Sequence, residues 1–164
     1  MTINLQPSTV PKGYDWTIEY DNGLKSFDPK ELSLHLEPEQ RDGEIAGTIL
    51  AERLKEKSLN SAALDYLLEH PKLIPEEWKG FAVFFWGTIY HIGNGNLYVR
   101  YLCWDGGRWH WHFQWLGDGW HSFSPAAVLR KSLDLDSSDI LTLSTRLSKL
   151  EQDMDKIRKV LRLE

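Results

Sequence analysis

The sequence predicts an α+β fold: an antiparallel, tryptophan-rich β-meander with N-terminal strands and two helices, followed by a C-terminal coiled-coil helix. Three observations predict it. Residues 81–115 are dense in aromatic and β-branched side chains and are broken only by short turns, which is the pattern of antiparallel neighbours. Residues 42–69 carry apolar side chains at helical spacing. Near the C-terminus Ile140, Leu143, Leu147, Leu150, Met154, Ile157 and Leu161 recur at steps of three and four, a narrow seam of the kind a partner helix fills.

In chain order, Asp15 to Tyr20 alternates apolar and polar residues and reads as a strand, ended by the turn formers Asp21, Asn22 and Gly23. Glu31 to Leu36 alternates too, with Leu32, Leu34 and Leu36 on one face and Pro38 closing it. A helix is expected from Asp42 or Gly43 to about Lys57, with Ile45, Ile49, Leu50 and Leu54 on one side. Asn60 caps a second helix, Ser61 to Glu69, whose Leu64, Leu67 and Leu68 face inwards; His70 and Pro71 end it. Pro75 to Lys79 makes a short helical turn, with proline at its start and acids in its first turn.

Phe81 to Ile92 reads as the first meander strand, Gly93 to Asn96 as a hairpin loop and Leu97 to Trp104 as the second strand. After the tight turn Asp105 to Gly107 comes the third strand, Arg108 to Trp115. Gly117 to Gly119 then breaks the sheet, and Ala126 to Arg130 is expected as a short helix. Lys131 to Ser138 reads as a linker, so residues 1–133 form the domain and 134–164 the linker and oligomerisation helix.

Charge is spread unevenly. Up to Gly80 there are nine Lys and Arg against fifteen Asp and Glu, a net of −6, whereas residues 81–138 hold four against four and six of the eight tryptophans. The total of −5 argues against broad binding to a nucleic-acid backbone, which needs a basic surface. No apolar run reaches the length of a membrane span, and Met1 to Val10 lacks the pattern of a signal peptide. Cys103 stands alone, so no disulfide framework or cysteine metal cluster is expected, and a cytoplasmic setting is the default.

Four stretches carry a resemblance: YDWTIEYD at Tyr14 to Asp21, LDYLLEHPKLIPEEWKG at Leu64 to Gly80, VFFWGTIY at Val83 to Tyr90 and WDGGRWHW at Trp104 to Trp111. Together they resemble a group of uncharacterised bacterial proteins, over roughly residues 14–129. The resemblance implies a domain type and a bacterial or phage origin, but no activity, ligand or catalytic residue.

Candidate sites centre on the third strand. Trp109, Trp111, Phe113 and Trp115 alternate onto one face, and Arg108, His110, His112 and Gln114 onto the other. The aromatic face reads first as core, and otherwise as a platform for a sugar, a base or a peptide. The polar face and the turns offer Trp104, Arg108, His110, His112 and Trp120 as ligand-binding residues. His110 and His112, two apart on a strand, could also ligate zinc if His91 or His121 supplied a third ligand. Glu76 and Glu77 are adjacent on a helical turn and do not face each other, so they read as helix-terminus acids rather than a catalytic pair. Cys103, inside an apolar strand, reads as a small hydrophobe rather than a nucleophile.

In the C-terminal seam, Ile140 at position a sets Arg146 and Asp153 at g and Glu151 and Arg158 at e. A parallel pair of copies then faces Arg146 with Glu151 and Asp153 with Arg158, both attractive. Leu147 and Leu161 at a, with Ile157 at d, lean away from two strands, whereas Ile140 with Leu143 leans towards them. The expectation is a non-enzymatic binding protein without a cofactor, displayed as a homo-oligomer. A metal-dependent enzyme using the histidine pair is the rival, and a purely structural assembly component the third reading.

Overall fold

The computed structural model describes residues 1–93, 95–130 and 137–162, the last segment with side chains for 145–158. In chain order the strands are β1 (Ile3–Asn4), β2 (Thr17–Asp21), β3 (Ser26–Phe27), β4 (Leu32–His35), β5 (Ile45–Ala46), β6 (Val83–Phe84), β7 (Thr88–Ile92), β8 (Asn96–Asp105), β9 (Arg108–Trp115), β10 (Gly119–Trp120) and β11 (Ala126–Leu129). The helices are α1 (Pro38–Asp42), α2 (Gly47–Leu54), α3 (Ser61–Glu69) and α4 (Ser137–Arg162). Met1–Leu133 and Asp134–Glu164 form two separate units. The α+β class and the antiparallel aromatic meander follow the sequence reading.

Strand β8 organises the main sheet. One of its edges pairs with β7 near its start and with β6 further along, and the other carries β9 from Tyr98 to Asp105. The order β2-β7-β8-β6-β11-β4 places the two N-terminal strands at opposite ends, with β9 paired to β8 alone among the described residues. Two short ladders, β1 with β3 and β5 with β10, stand apart from this sheet.

The centre of the sheet is buried on both faces, and its strands show why. Val83, Leu102 and Ala127 pack with Leu64 and Leu67 of α3, while Phe84, Val99, Ala126 and Val128 pack with Leu50 and Leu54 of α2. Successive residues therefore point to opposite cores. Asn60 caps α3 as its side chain accepts from the Ala63 amide at 3.1 Å, as expected for that helix.

Three elements depart from expectation. The helix expected from residue 42 to 57 is instead α1, β5 and α2. Pro38 starts α1 at its first position, where it needs no N–H donor, and Glu37 and Gln40 form a reciprocal capping box. Beyond Gly43 the chain extends so that Ile45 can pair with Trp120, and the second helix begins only at Gly47.

The single strand expected over 81–92 is two strands, separated at Phe85 to Gly87. There the backbone turns aside to bond the loop before α3: Trp86 N donates to Ser58 Oγ at 2.9 Å and Gly87 N to Leu59 O at 3.0 Å. A Cβ on Gly87 would meet Asn22 Nδ2 at 2.6 Å and the Ser58 and Leu59 carbonyls at 2.8 Å, so only glycine fits. The short helix expected over 126–130 is the strand β11, antiparallel to β4 and parallel to β6. A segment that short gains more from two ladders than from one unsupported helical turn.

In the second unit α4 has 26 residues, about 39 Å of helix. Leu147, Leu150, Met154 and Ile157 are between 53% and 59% exposed. The side chains of Ile140, Leu143 and Leu161, and the loop residue Asn94, lie outside the described set. Among the described residues no helix is long and apolar enough to cross a membrane.

Candidate functional site

A cleft of about 490 Å³ opens between the end of α3 and the β8–β9 hairpin, within the usual range for small-ligand sites. Leu68, Pro71, Lys72, Glu76, Lys79, Trp104, Gly107, Arg108 and Trp109 line it. Three short segments build it, each for a local reason. His70 ends α3, and Pro71 starts the 3-10 turn Pro71–Leu73 that carries Lys72. Pro75 precedes a second 3-10 turn, Glu76–Gly80, anchored by Trp78, which is 1% exposed and meets the Phe85 ring at 6.5 Å. The hairpin turns at Gly106 and Gly107, with φ of +61° and +82°, the left-handed pair that a two-residue loop matched to strand twist requires.

With Trp78 turned inwards, its neighbour Lys79 turns out over the cleft. Lys79 Nζ lies 4.0 Å from the centre of the Trp104 ring and 2.8 Å from Glu76 Oε2. Trp104 and Trp109 are cross-strand partners whose rings meet edge to face at 5.5 Å, an attractive arrangement. Lys72 and Arg108 have no ion-pair partner among the described residues. Three cations against one acid leave the lining with a net charge of +2, in a chain whose own net charge is −5.

On the other flank of α3 the segment Asn4 to Thr9 borders a second cleft, of about 600 Å³, with Asp65, Tyr66 and Glu69. This N-terminal strap is fastened to the fold along its length, beginning where Leu5 N donates to the Lys25 carbonyl at 2.8 Å. Ser8 Oγ accepts from Ala62 N at 3.2 Å and lies 3.3 Å from Thr88 Oγ1, while Tyr90 donates to the Thr9 carbonyl at 2.7 Å. Behind Asp65 sits Arg100, 2% exposed, with Nη2 2.8 Å and Nη1 3.3 Å from the two carboxylate oxygens and its guanidinium 4.2 Å from the Trp111 ring. Burial raises the Tyr90 pKa, and contact with Ser61 and Arg100 offsets part of that rise.

The structure divides the five expected ligand residues. Trp104 and Arg108 line the first cleft. His110 and His112 pair across from Cys103 and Tyr101, on the face of the sheet that holds the α2 core. His110 Nε2 lies 3.1 Å from the Asp105 carbonyl, and the exposed His112 ring is 5.8 Å from Tyr101, so neither joins Trp104. Trp120, expected at an open face, is instead fully buried. Pairing of β10 with β5 turns its indole inwards, where it meets Trp86 at 5.1 Å and Phe84 at 5.4 Å. The expectation that the aromatic residues of β9 form core holds only in part: Trp109 and Trp111 are half-buried, while Phe113 and Trp115 lie exposed because β9 is an edge strand.

The zinc reading finds no ligand set. His91 faces Thr17 and Leu97 in the sheet, and His121 follows β10 beside Phe123. Among the described residues no three His, Cys, Asp or Glu side chains are grouped to hold a metal ion. At Cys103 burial, and secondarily Asp105, raises the thiol pKa, which disfavours the nucleophilic thiolate.

Lys72 and Lys79 were not singled out from sequence, and Trp109 was read first as core, because the convergence of the three depends on two proline-started turns meeting one hairpin. Arg100 could have been. A charge amid NLYVRYLCW needs a buried partner, and that alone marks the strand as unusual. No family model, curated protein or solved structure matches this chain, so the site rests on its own geometry.

Proposed function

We propose that this chain is a non-enzymatic binding protein, displayed as a homo-oligomer through α4, with its ligand taken at the Trp104–Arg108 cleft. The observation that carries the reading is the exposed stripe of Leu147, Leu150, Met154 and Ile157. Four large apolar side chains at heptad spacing, each more than half exposed, are the surface a second copy of the helix would cover. Charge favours that occupant, since a parallel copy sets Arg146 against Glu151 and Asp153 against Arg158. Arg158 Nη1 already lies 3.7 Å from Asp155 Oδ1 within its own helix, a weak exposed pair that an interhelical partner can replace. Linked copies raise the effective strength of a weak site without new contacts. A reducing, cytoplasmic setting suits the single free cysteine.

The solution mass of the full chain by light scattering, beside a chain ending at Leu133, tests the reading. An oligomer that falls to a monomer on truncation supports it. A full-length monomer at working concentration overturns the oligomeric display.

A further inference from the structure

We infer that the cleft between α3 and the β8–β9 hairpin takes a small anion of the nucleoside-phosphate class, a planar base carrying a phosphate. The inference rests on the binding-protein reading and names the ligand class of that same site. Three features of the cleft act together, and each alone is ordinary.

The first is charge. Lys72 and Arg108 have no carboxylate partner among the described residues, although acids outnumber bases in the chain by 24 to 19. Two cations that remain unpaired at the mouth of one concavity leave a local positive field for an oxyanion. The planar fork of Arg108 suits two-point contact with phosphate, and Lys72 adds a mobile point charge.

The second is the aromatic wall. Trp104 and Trp109 are half-buried, held edge to face by strand pairing, and share the lining with the apolar Leu68 and Pro71. A planar base gains from contact with such a wall, whereas a bare inorganic ion does not. The third is the fixed cation. Lys79 is held by both Glu76 and the Trp104 ring, so its ammonium is already placed at the junction of the apolar wall and the charged mouth. Placing a charge before binding lowers the ordering cost of a ligand that needs it there. The space of about 490 Å³ suits a mononucleotide, and no polymer is required.

Two other concavities among the described residues fit this class less well. The cleft beside the N-terminal strap carries Asp65 and Glu69 and repels an anion. A smaller hollow of about 190 Å³ beside Tyr20 and Lys55 also holds Glu19 and Glu52.

Calorimetric titration of the full chain with AMP, adenosine and inorganic phosphate tests the inference, with light scattering on the same sample. AMP is expected to bind at least about tenfold more tightly than either fragment, a difference of about 1.4 kcal/mol. Arg108→Gln and Lys72→Gln are each expected to weaken AMP by about tenfold with an unchanged circular dichroism spectrum. Phosphate binding as well as AMP would overturn the planar part of the inference, and adenosine binding as well would overturn the anionic part. AMP heats absent up to about 1 mM, or unaltered in Arg108→Gln, would overturn it entirely. An oligomer that ignores AMP refutes this ligand class and leaves the displayed binding protein standing. A monomer that binds AMP refutes the oligomeric display and leaves the cleft.

Discussion

Five of the eight tryptophans divide between two purposes on the two faces of one sheet, while Trp78 lies fully buried in the core on the α3 side. Under α2, Trp86 and Trp120 are fully buried against Phe84, and their indole N–H groups have no hydrogen-bond partner among the described residues. Under α3, Trp104, Trp109 and Trp111 are half-buried, and two of them carry cations on their rings: Lys79 on Trp104 and Arg100 on Trp111. The first group excludes water and contributes stability. The second holds charge in place beside open clefts. What decides between them is cover: α2 and the β5–β10 ladder seal one side, whereas α3 ends at His70 and the two 3-10 turns that follow leave an open cleft at the hairpin end of the other side.

The largest expected effect lies on the sealed side. Trp120→Ala should cost about 3–5 kcal/mol, because a large cavity opens where neighbours cannot close in. Trp104→Ala should cost only about 1 kcal/mol, since its ring is already in contact with solvent. Urea unfolding of the two variants measures the difference. Equal losses would erase the distinction between the faces.

Arg100 sharpens the comparison, being the one fully buried charge on the α3 side among the described residues. Its partner Asp65 is 42% exposed, so the pair is sealed at one end only. Asp65→Ala should cost about 2–3 kcal/mol by leaving a buried guanidinium without a counter-charge, somewhat below the loss for a fully buried pair. Arg100→Met should cost less, because removing the charge also removes its desolvation penalty. The reverse order of stabilities would mean that the guanidinium serves chiefly as packing against Trp111.

Which side chains share a face could be read from the sequence, whereas the contrast in their burial could not, for a physical reason. The alternation in β8 and β9 fixed which side chains share a face, and Asn60 with the leucines after it fixed α3. Burial could not be read the same way, because alternation says which residues are together and not what covers them. Trp120 was misplaced for that reason: its neighbours Gly117 to Gly119 signal a break, while the partner that buries it, Ile45, lies far away in sequence. Gly87 and β11 were missed because their partners, Leu59, Ser58 and β4, are also remote in sequence. The cleft needed three turns to converge, and no local pattern encodes that. The seam of α4 is legible because it is local and periodic.

A smaller effect is expected at the rim of the α2 side, where it takes the form of a pH dependence. Glu37 is subject to burial, which raises its pKa, but hydrogen bonds and charge from His35 at 2.6 Å and Arg53 at 3.0 Å outweigh it and lower the pKa overall. A carboxylate depressed by folding stabilises the fold above its unfolded pKa, about 4.3 for a free glutamate, and that contribution is lost as pH falls through the lower folded value. The stability gap between wild type and Glu37→Gln should therefore be present at about pH 5 and shrink below about pH 4. A gap that persists in acid would assign the role of Glu37 to its cap on α1 rather than its charge.

The smallest expected change in stability is at Lys79, and it carries the most functional information. Lys79→Gln removes a cation from an exposed ion pair and from the Trp104 ring, together about 1 kcal/mol at most. Its effect should instead appear in the emission of Trp104, because a charge 4.0 Å from an indole shifts the energy of its excited state. Emission can be isolated by measuring Lys79→Gln in the presence and absence of Trp104→Phe. A shift that disappears in the Trp104→Phe background, with an unaltered urea midpoint, would show a cation held on the ring for something other than stability. A large loss of stability instead would make Lys79 part of the core's support, and the two faces of the sheet would differ in degree rather than in kind.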